Sequence, residues 1–253
     1  MDRSELSDIA HAHHPVAAPV SPAKVATLVE RLVLPEGGRA VDLGCGHGVW
    51  LTELLAAHPT ATGVGLDLDL PADVVTAAWE RGVGDRVHWE QGDAAGWAGG
   101  VFDVVLCVGA SHAFGGLDGT LAAVRRHLRP GGQVLLGDGI WEGPPSAAAL
   151  EAVGDWPGGL TDLIGLLDRA RVHGFEPGYG HVSSLAEWDD YEFSWTGSLV
   201  AWALQDARTV EDREQALATA REHRDMWVRG WRRELGFATV LLHDLGTAET
   251  GRP

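Results

Sequence analysis

Residues 41–50 read VDLGCGHGVW, with three glycines, Gly44, Gly46 and Gly48, at alternate positions directly after an apolar run. Glycine reaches positive φ and lets the backbone approach a ligand closely, so this loop has the chemistry of a small-molecule cradle. Its spacing is GxGxG. The dinucleotide fingerprint needs a glycine where Val49 stands, and the Lys-Ser/Thr pair of a phosphate loop is absent. Asp42 lies inside the apolar run, where a buried acid needs partners from the loop N–H groups or a ligand ammonium. Asp67 ends the run GVGLDLD, and Asp93 sits in QGDAAGW. His112, in FDVVLCVGASHAF, has the near-neutral side chain suited to a general base. Cys45 and His47 lie in the loop and read as spacers rather than as a reactive thiol or a metal ligand; no metal site is expected.

These residues need elements to hold them. SPAKVATLVERLVL carries a Ser21 N-cap, Pro22 at the first helical position and apolar residues at helical spacing. Strand and helix then alternate: RAVDL, VWLTELLAAH, ATGVGLDLD, PADVVTAAWERG, DRVHWEQGD, FDVVLCVGA, GTLAAVRRHL and QVLLGDGIW. Such alternation predicts a parallel sheet covered on both faces, with ligands bound beyond the carboxyl ends of its strands. After Trp141 the spacing predicts a helix over GGLTDLIGLLDRARVHG, a strand, two long helices and a last strand, FATVLLHDL. The division expected is residues 1–35 as an N-terminal arm and leading helix, and 36–253 as one domain. Within it, 142–174 is a helical insertion and 184–235 a helical segment before the last strand. The first twenty residues show no clear periodicity and read as an arm.

In this order the motifs resemble those of the class I S-adenosylmethionine (SAM)-dependent methyltransferases. VDLGCGHG looks like their first motif, GVGLDLD and QGDAAGW like the acids after the second and third strands, and LRPGGQVLLGD like the turn into the fifth. The resemblance covers roughly Ala40 to Asp138. It implies a doubly wound, seven-stranded, mostly parallel α/β sheet ending in an antiparallel hairpin, with the arm and helical insertions as a lid. It implies SAM as cofactor and S-adenosylhomocysteine (SAH) as product. Asp67 would then accept the ribose hydroxyls and Asp93 the adenine amino group, with Asp42, Gly44, Cys45, Gly46, Gly48, Leu68, Ala94 and Val108 completing the cofactor site. The acceptor would lie over the fourth and fifth strand ends. Ser111 and Trp141 stand there, with His112 as the candidate base and Asp138 and Glu142 nearby. Tyr191 and Trp195 belong to an aromatic stripe with Trp188 and Trp202, whose spacing serves a core face or an acceptor wall. Trp227 and Trp231 read as core. His11, His13 and His14 sit in the arm, with His13 or His14 expected to reach inward.

A net charge of -17 opposes binding to nucleic acid or anionic lipid. No signal peptide or membrane-length apolar run is present, so a cytoplasmic enzyme with a small-molecule acceptor is expected, methylated at oxygen or nitrogen; a homodimer is compatible with this. The other readings are SAM chemistry without simple methyl transfer, a SAM-binding protein without turnover, and a nicotinamide-dependent oxidoreductase. The GxGxG spacing and the lack of a Tyr-x-x-x-Lys pair count against the last.

Overall fold

The computed structural model describes residues 1–14 and 16–246. Among these residues, eight strands form one sheet. Seven follow the order β3-β2-β1-β4-β5-β8-β7: β1 (Arg39–Leu43), β2 (Thr62–Asp67), β3 (Val87–Gln91), β4 (Phe102–Val108), β5 (Leu128–Trp141), β7 (Phe175–Val182) and β8 (Leu235–Asp244). The two-residue β6 (Thr161–Asp162) pairs with the end of β5. β1 to β5 run parallel, and β8 is antiparallel to both β5 and β7. The sheet is therefore mostly parallel with an antiparallel edge, as the resemblance implies.

Strand order reverses between β2 and β4 on either side of β1, and a crevice opens at such a point beyond the carboxyl ends. The sheet can be covered on both sides because its central strands are apolar on both sides. On one face Val104, Leu106 and Val108 of β4 meet Leu28 of α2 (Pro22–Val29) and Leu51 and Leu54 of α3 (Val49–Ala57). On the other, Val105 and Cys107 meet Leu121 and Val124 of α5 (Leu117–His127) and Leu166 of α7 (Leu163–Val172). α4 (Val74–Glu80) follows β2. Each fully buried leucine contributes about 1.5–3 kcal/mol, so these two layers hold the strand ends rigidly beneath the crevice. The Arg129–Gly132 turn does not separate α5 from its strand. It enters β5 as an irregularity in register between the partners of Phe102 and Val104.

The segment expected as an arm folds differently. Residues Arg3–His11 form a helix, α1, started by a capping box in which Asp2 accepts from the Glu5 N–H and Glu5 accepts from the Asp2 N–H. Ala10 is buried with Leu199 and Ala203 of α8 (Leu185–Gln205) and Ala216 and Ala220 of α9 (Val210–Met226). Small residues allow this close approach. Val16, Ala18 and Val20 are buried as well, in the main core. Between β5 and β7 the chain forms not one helix but two, α6 (Ala147–Val153) and α7, capped by Ser146 and Asp162. A short π-helical turn, Trp227–Trp231, leads into β8. Among the described residues, no helix is long and apolar enough to cross a membrane.

Glu187 ties the N-terminal segment to this frame. One carboxylate oxygen accepts from the Ser21 N–H and hydroxyl, and the other from the Ser184 N–H and hydroxyl at the start of α8. Although burial opposes its charge, these bonds hold its carboxyl down at about 2.

Candidate functional site

The alternating glycines form a pinned loop. The N–H groups of Gly44 and Cys45 both donate to the Leu66 carbonyl, at 2.8 and 3.0 Å, and the Gly48 N–H donates to the Cys45 carbonyl at 2.8 Å. The Gly46 N–H donates to Asp67 Oδ2 at 2.7 Å. Flexibility thus belongs to the unfolded chain, and the end of β2 fixes the folded loop. At Gly44, φ is +81° and a Cβ would overlap the Ala110 side chain. Gly44→Ala is expected to destabilise the fold by about 2–4 kcal/mol, the sum of a left-handed backbone and an overpacked contact. Denaturant unfolding checks this; a loss below about 1 kcal/mol would show that Ala110 moves aside.

Asp67 sits half-buried at the β2 end, its second oxygen accepting from the Asp69 N–H at 3.2 Å. Asp42 is 1% exposed, and its Oδ2 has no hydrogen-bond partner. Burial, reinforced by the nearby Asp67 charge, pushes its carboxyl up to about 7. Asp93 is exposed and holds its own turn by accepting from the Ala95 N–H at 2.9 Å. Cys45 is buried, which pushes its thiol well above the usual range and leaves it unreactive.

These elements surround a cavity of about 840 Å³ beyond the strand ends. Gly44, Cys45, Gly46, Asp67, Leu68, Asp93, Ala94, Val108 and His112 line it, as do His47, Trp50, Asp69 and Pro71. Gly48 is buried at the head of α3 against the Trp89 ring, with φ +71°. α1 contributes Ser7, Asp8 and His11 to the wall, and Ala17, Val49 and the Gly109–Ala113 turn also contribute. Sequence reasoning did not single out Ser7 or Asp8, and it named His11 in the arm but expected His13 or His14 to reach inward; the Asp2–Glu5 capping spacing was the available signal for the helix.

The acceptor-side residues divide. His112 is exposed on the cavity wall, in the 3-10 turn Ser111–Phe114. Ser111 is buried, and its hydroxyl donates to Asp138 Oδ1 at 2.8 Å, beside a second donor, the Gly139 N–H at 2.9 Å. Burial raises the Asp138 carboxyl, against those two hydrogen bonds and the His112 charge. Trp141 lines a separate cleft with Asp162 and Leu163, because β5 pairs with β8 as far as Leu235, beyond the cavity. Trp195 stacks on His223 of α9, with ring centroids 4.0 Å apart. Neither tryptophan lines the cavity. Tyr191 stands behind it: its hydroxyl meets His11 Nε2 at 3.3 Å, and its ring makes edge contacts with His14 and Trp188.

The three arm histidines point apart. His13 bonds Ser198 and His14 bonds the Val16 carbonyl, so the one facing the cavity is His11. Its Nδ1 is 2.9 Å from the Ser7 carbonyl, which can only accept, so Nδ1 carries the proton and Nε2 the lone pair. Burial holds the His11 side chain below the usual histidine range; the Ser7 bond opposes this, and His47, His14 and His223 add to it. A lowered folded value means the neutral form is favoured on folding. The stabilisation is complete above about 6.5, the unfolded value, and is lost as pH falls through the folded one. Amide exchange over residues 3–11, corrected for intrinsic rates, is therefore expected to be faster at about pH 5 than at about pH 7.5. Equal protection would mean that His11 does not hold α1 down.

Comparison with known proteins follows the same lines. The family described as "Methyltransferase domain" matches residues 41–134. The protein YjhP of Escherichia coli (strain K12) is 32% identical over 200 residues, covering 76% of this chain and 79% of that protein. The structure of a SAM-dependent methyltransferase from Geobacter sulfurreducens in complex with S-adenosyl-L-homocysteine is similar, with a TM-score of 0.85 and 28% identity over 94% of this chain and 97% of that one. A second such complex, from Thiobacillus denitrificans, has a TM-score of 0.81 and 28% identity, covering 96% of this chain and 98% of that one.

Proposed function

This chain belongs to the class I SAM-dependent methyltransferases, and from that membership we propose that it methylates an oxygen or nitrogen atom of a small molecule. Bound SAM supplies a methyl carbon already activated on a sulfonium, so alignment and a neutral nucleophile are what the protein must add. The acceptor-only carboxylate of Asp67 takes the ribose hydroxyls, and Asp93 takes the adenine amino group. Gly44, Cys45 and Gly46, with Gly48 at the head of α3 and the N–H groups at that helix start, would hold the methionyl end. The unpartnered Oδ2 of Asp42 fits an ammonium reached through water. Leu68, Ala94 and Val108 would enclose the adenosine, and His112 would border the acceptor.

One observation carries this reading: the cavity of about 840 Å³ that joins the glycine loop, Asp67 and Asp93 to the inner side of α1. Its size is near the upper end of small-molecule sites, about 300–1,000 Å³, room for the cofactor and a modest second molecule. The chain's charge of -17 weighs against a nucleic-acid acceptor.

The test is methyl-labelled SAM offered with a panel of small amines, phenols and alcohols, and in parallel with mixed protein and RNA. Label in a small molecule alone is the expected result. Label only in macromolecules would reject the reading.

A further inference from the structure

We infer that Trp89 is the positioning residue of the cofactor loop: its indole, wedged between Gly65 of β2 and Gly48 at the head of α3, sets how the glycine cradle stands over the sheet. The inference rests on the cofactor placement above and holds whichever acceptor is methylated.

Trp89 lies in β3 and pairs in register with Gly65 of β2, which pairs in turn with Asp42 of β1. Residues paired in this way project from one face of a sheet. Glycine at 65 leaves that row open, and the indole leans across the gap. A Cβ at Gly65 would overlap the ring at Cζ3 and Cε3 and would lie 3.2 Å from the Cys45 Sγ of the loop. A Cβ at Gly48 would overlap the same ring at Cη2 and lie 2.8 Å from Cζ3. One six-membered ring therefore fills two places where side chains are missing, one on the sheet and one at the helix head.

The loop's glycines thereby divide. Gly44 and Gly46 line the cavity, whereas Gly48 is turned to Trp89. Gly48 is also the joint between cradle and helix. Its N–H closes the loop on the Cys45 carbonyl at 2.8 Å, and its carbonyl accepts from the Thr52 N–H at 3.0 Å, in the first turn of α3. Moving Gly48 moves both the cradle and the open N–H groups at the helix start.

The ring, not its polar atom, is what this position uses. Among the described residues the Trp89 Nε1 is buried with no hydrogen-bond partner, which costs stability. The side chain packs against the apolar core on the α3 side of the sheet. Trp89 thus acts on the cofactor through Gly48 and Gly65.

The test is calorimetric titration of SAH, with thermal unfolding followed on the same variants. Trp89→Leu is expected to weaken SAH about tenfold or more, as the head of α3 settles toward β2. Trp89→Phe keeps one ring but stops short of Gly48. It should lose about threefold, and it carries the comparison if Trp89→Leu does not fold. Phe175→Leu is the control for stability alone, because Phe175 is fully buried in the core of the opposite face. That variant should lose Tm and keep SAH affinity within about twofold. Gly65 does not have positive φ, so only its neighbours oppose a methyl there. Gly65→Ala should weaken SAH about tenfold in the parent, but about threefold or less when added to Trp89→Leu, where the ring is gone. Equal losses from Gly65→Ala in both backgrounds would overturn the inference. So would an affinity within about twofold of the parent in both Trp89 variants, or a loss in Phe175→Leu as large as theirs. A parent chain that binds neither SAM nor SAH would overturn the cofactor placement along with it.

Discussion

Asp67→Ala is expected to weaken SAM binding about 100-fold or more, measured by calorimetry against the parent chain. Two charge-assisted hydrogen bonds to ribose hydroxyls are worth about 1.5–3 kcal/mol each, and 100-fold is about 2.7 kcal/mol. The substitution removes a second contribution too. The same carboxylate accepts from the Gly46 N–H at 2.7 Å and the Asp69 N–H at 3.2 Å, so it shapes the cradle before any ligand arrives. Asp67→Asn keeps one acceptor oxygen but turns the other into a donor, and should lose about tenfold. The two variants separate shape from charge: if both lose equally, the charge and the second acceptor oxygen that both lack govern binding, whereas a much smaller loss in Asp67→Asn credits the loop shape its remaining acceptor preserves. A change under threefold in Asp67→Ala would remove the ribose role altogether.

The central strands and the glycine loop were legible in the sequence because their signals are local. β1 and β4 are buried on both faces, so they read as continuous apolar runs, and the loop's glycines stand where positive φ is required. The cavity's outer wall was not legible for the opposite reason. RSELSDIAH has little apolar content, and what makes it a helix lies outside it: the Asp2 cap before it, and Leu199 and Ala203 of α8 across its buried Ala10. Those partners are nearly the whole chain away in sequence, and periodicity cannot report them. The aromatic stripe shows the same limit. Its spacing says which face of α8 is buried but not by what. Trp188 meets the sheet core, Trp195 meets His223, and Tyr191 alone approaches the cavity through His11. Trp141 was placed by its position at a strand end, and the extended pairing of β5 with β8 carries it past the site.

What seats α1 and Tyr191 is the α8–α9 hairpin, and its weakest point is electrostatic. Glu192 is 2% exposed and projects from α8 into the hairpin, where its Oε2 lies 2.7 Å from His223 Nε2. His223→Leu removes that partner and leaves a buried carboxylate with no compensating group. The expected cost is about 3–5 kcal/mol, with about 0.5–1.5 more from the lost stacking on Trp195. For a chain of this size the two together are a fall in Tm of roughly 7–26 °C. Most of the cost belongs to the stranded charge and little to the net worth of the pair, so the double variant Glu192→Leu with His223→Leu should recover the larger part. Denaturant unfolding of both single variants and the double variant decides this. A double variant as unstable as His223→Leu alone would place the energy in the geometry of the hairpin. Recovery of stability without recovery of α1 protection in amide exchange would add a further point: Glu192 lies near enough to raise the Tyr191 hydroxyl beyond what burial does, so the charge that strains the hairpin also conditions the residue against which His11 rests.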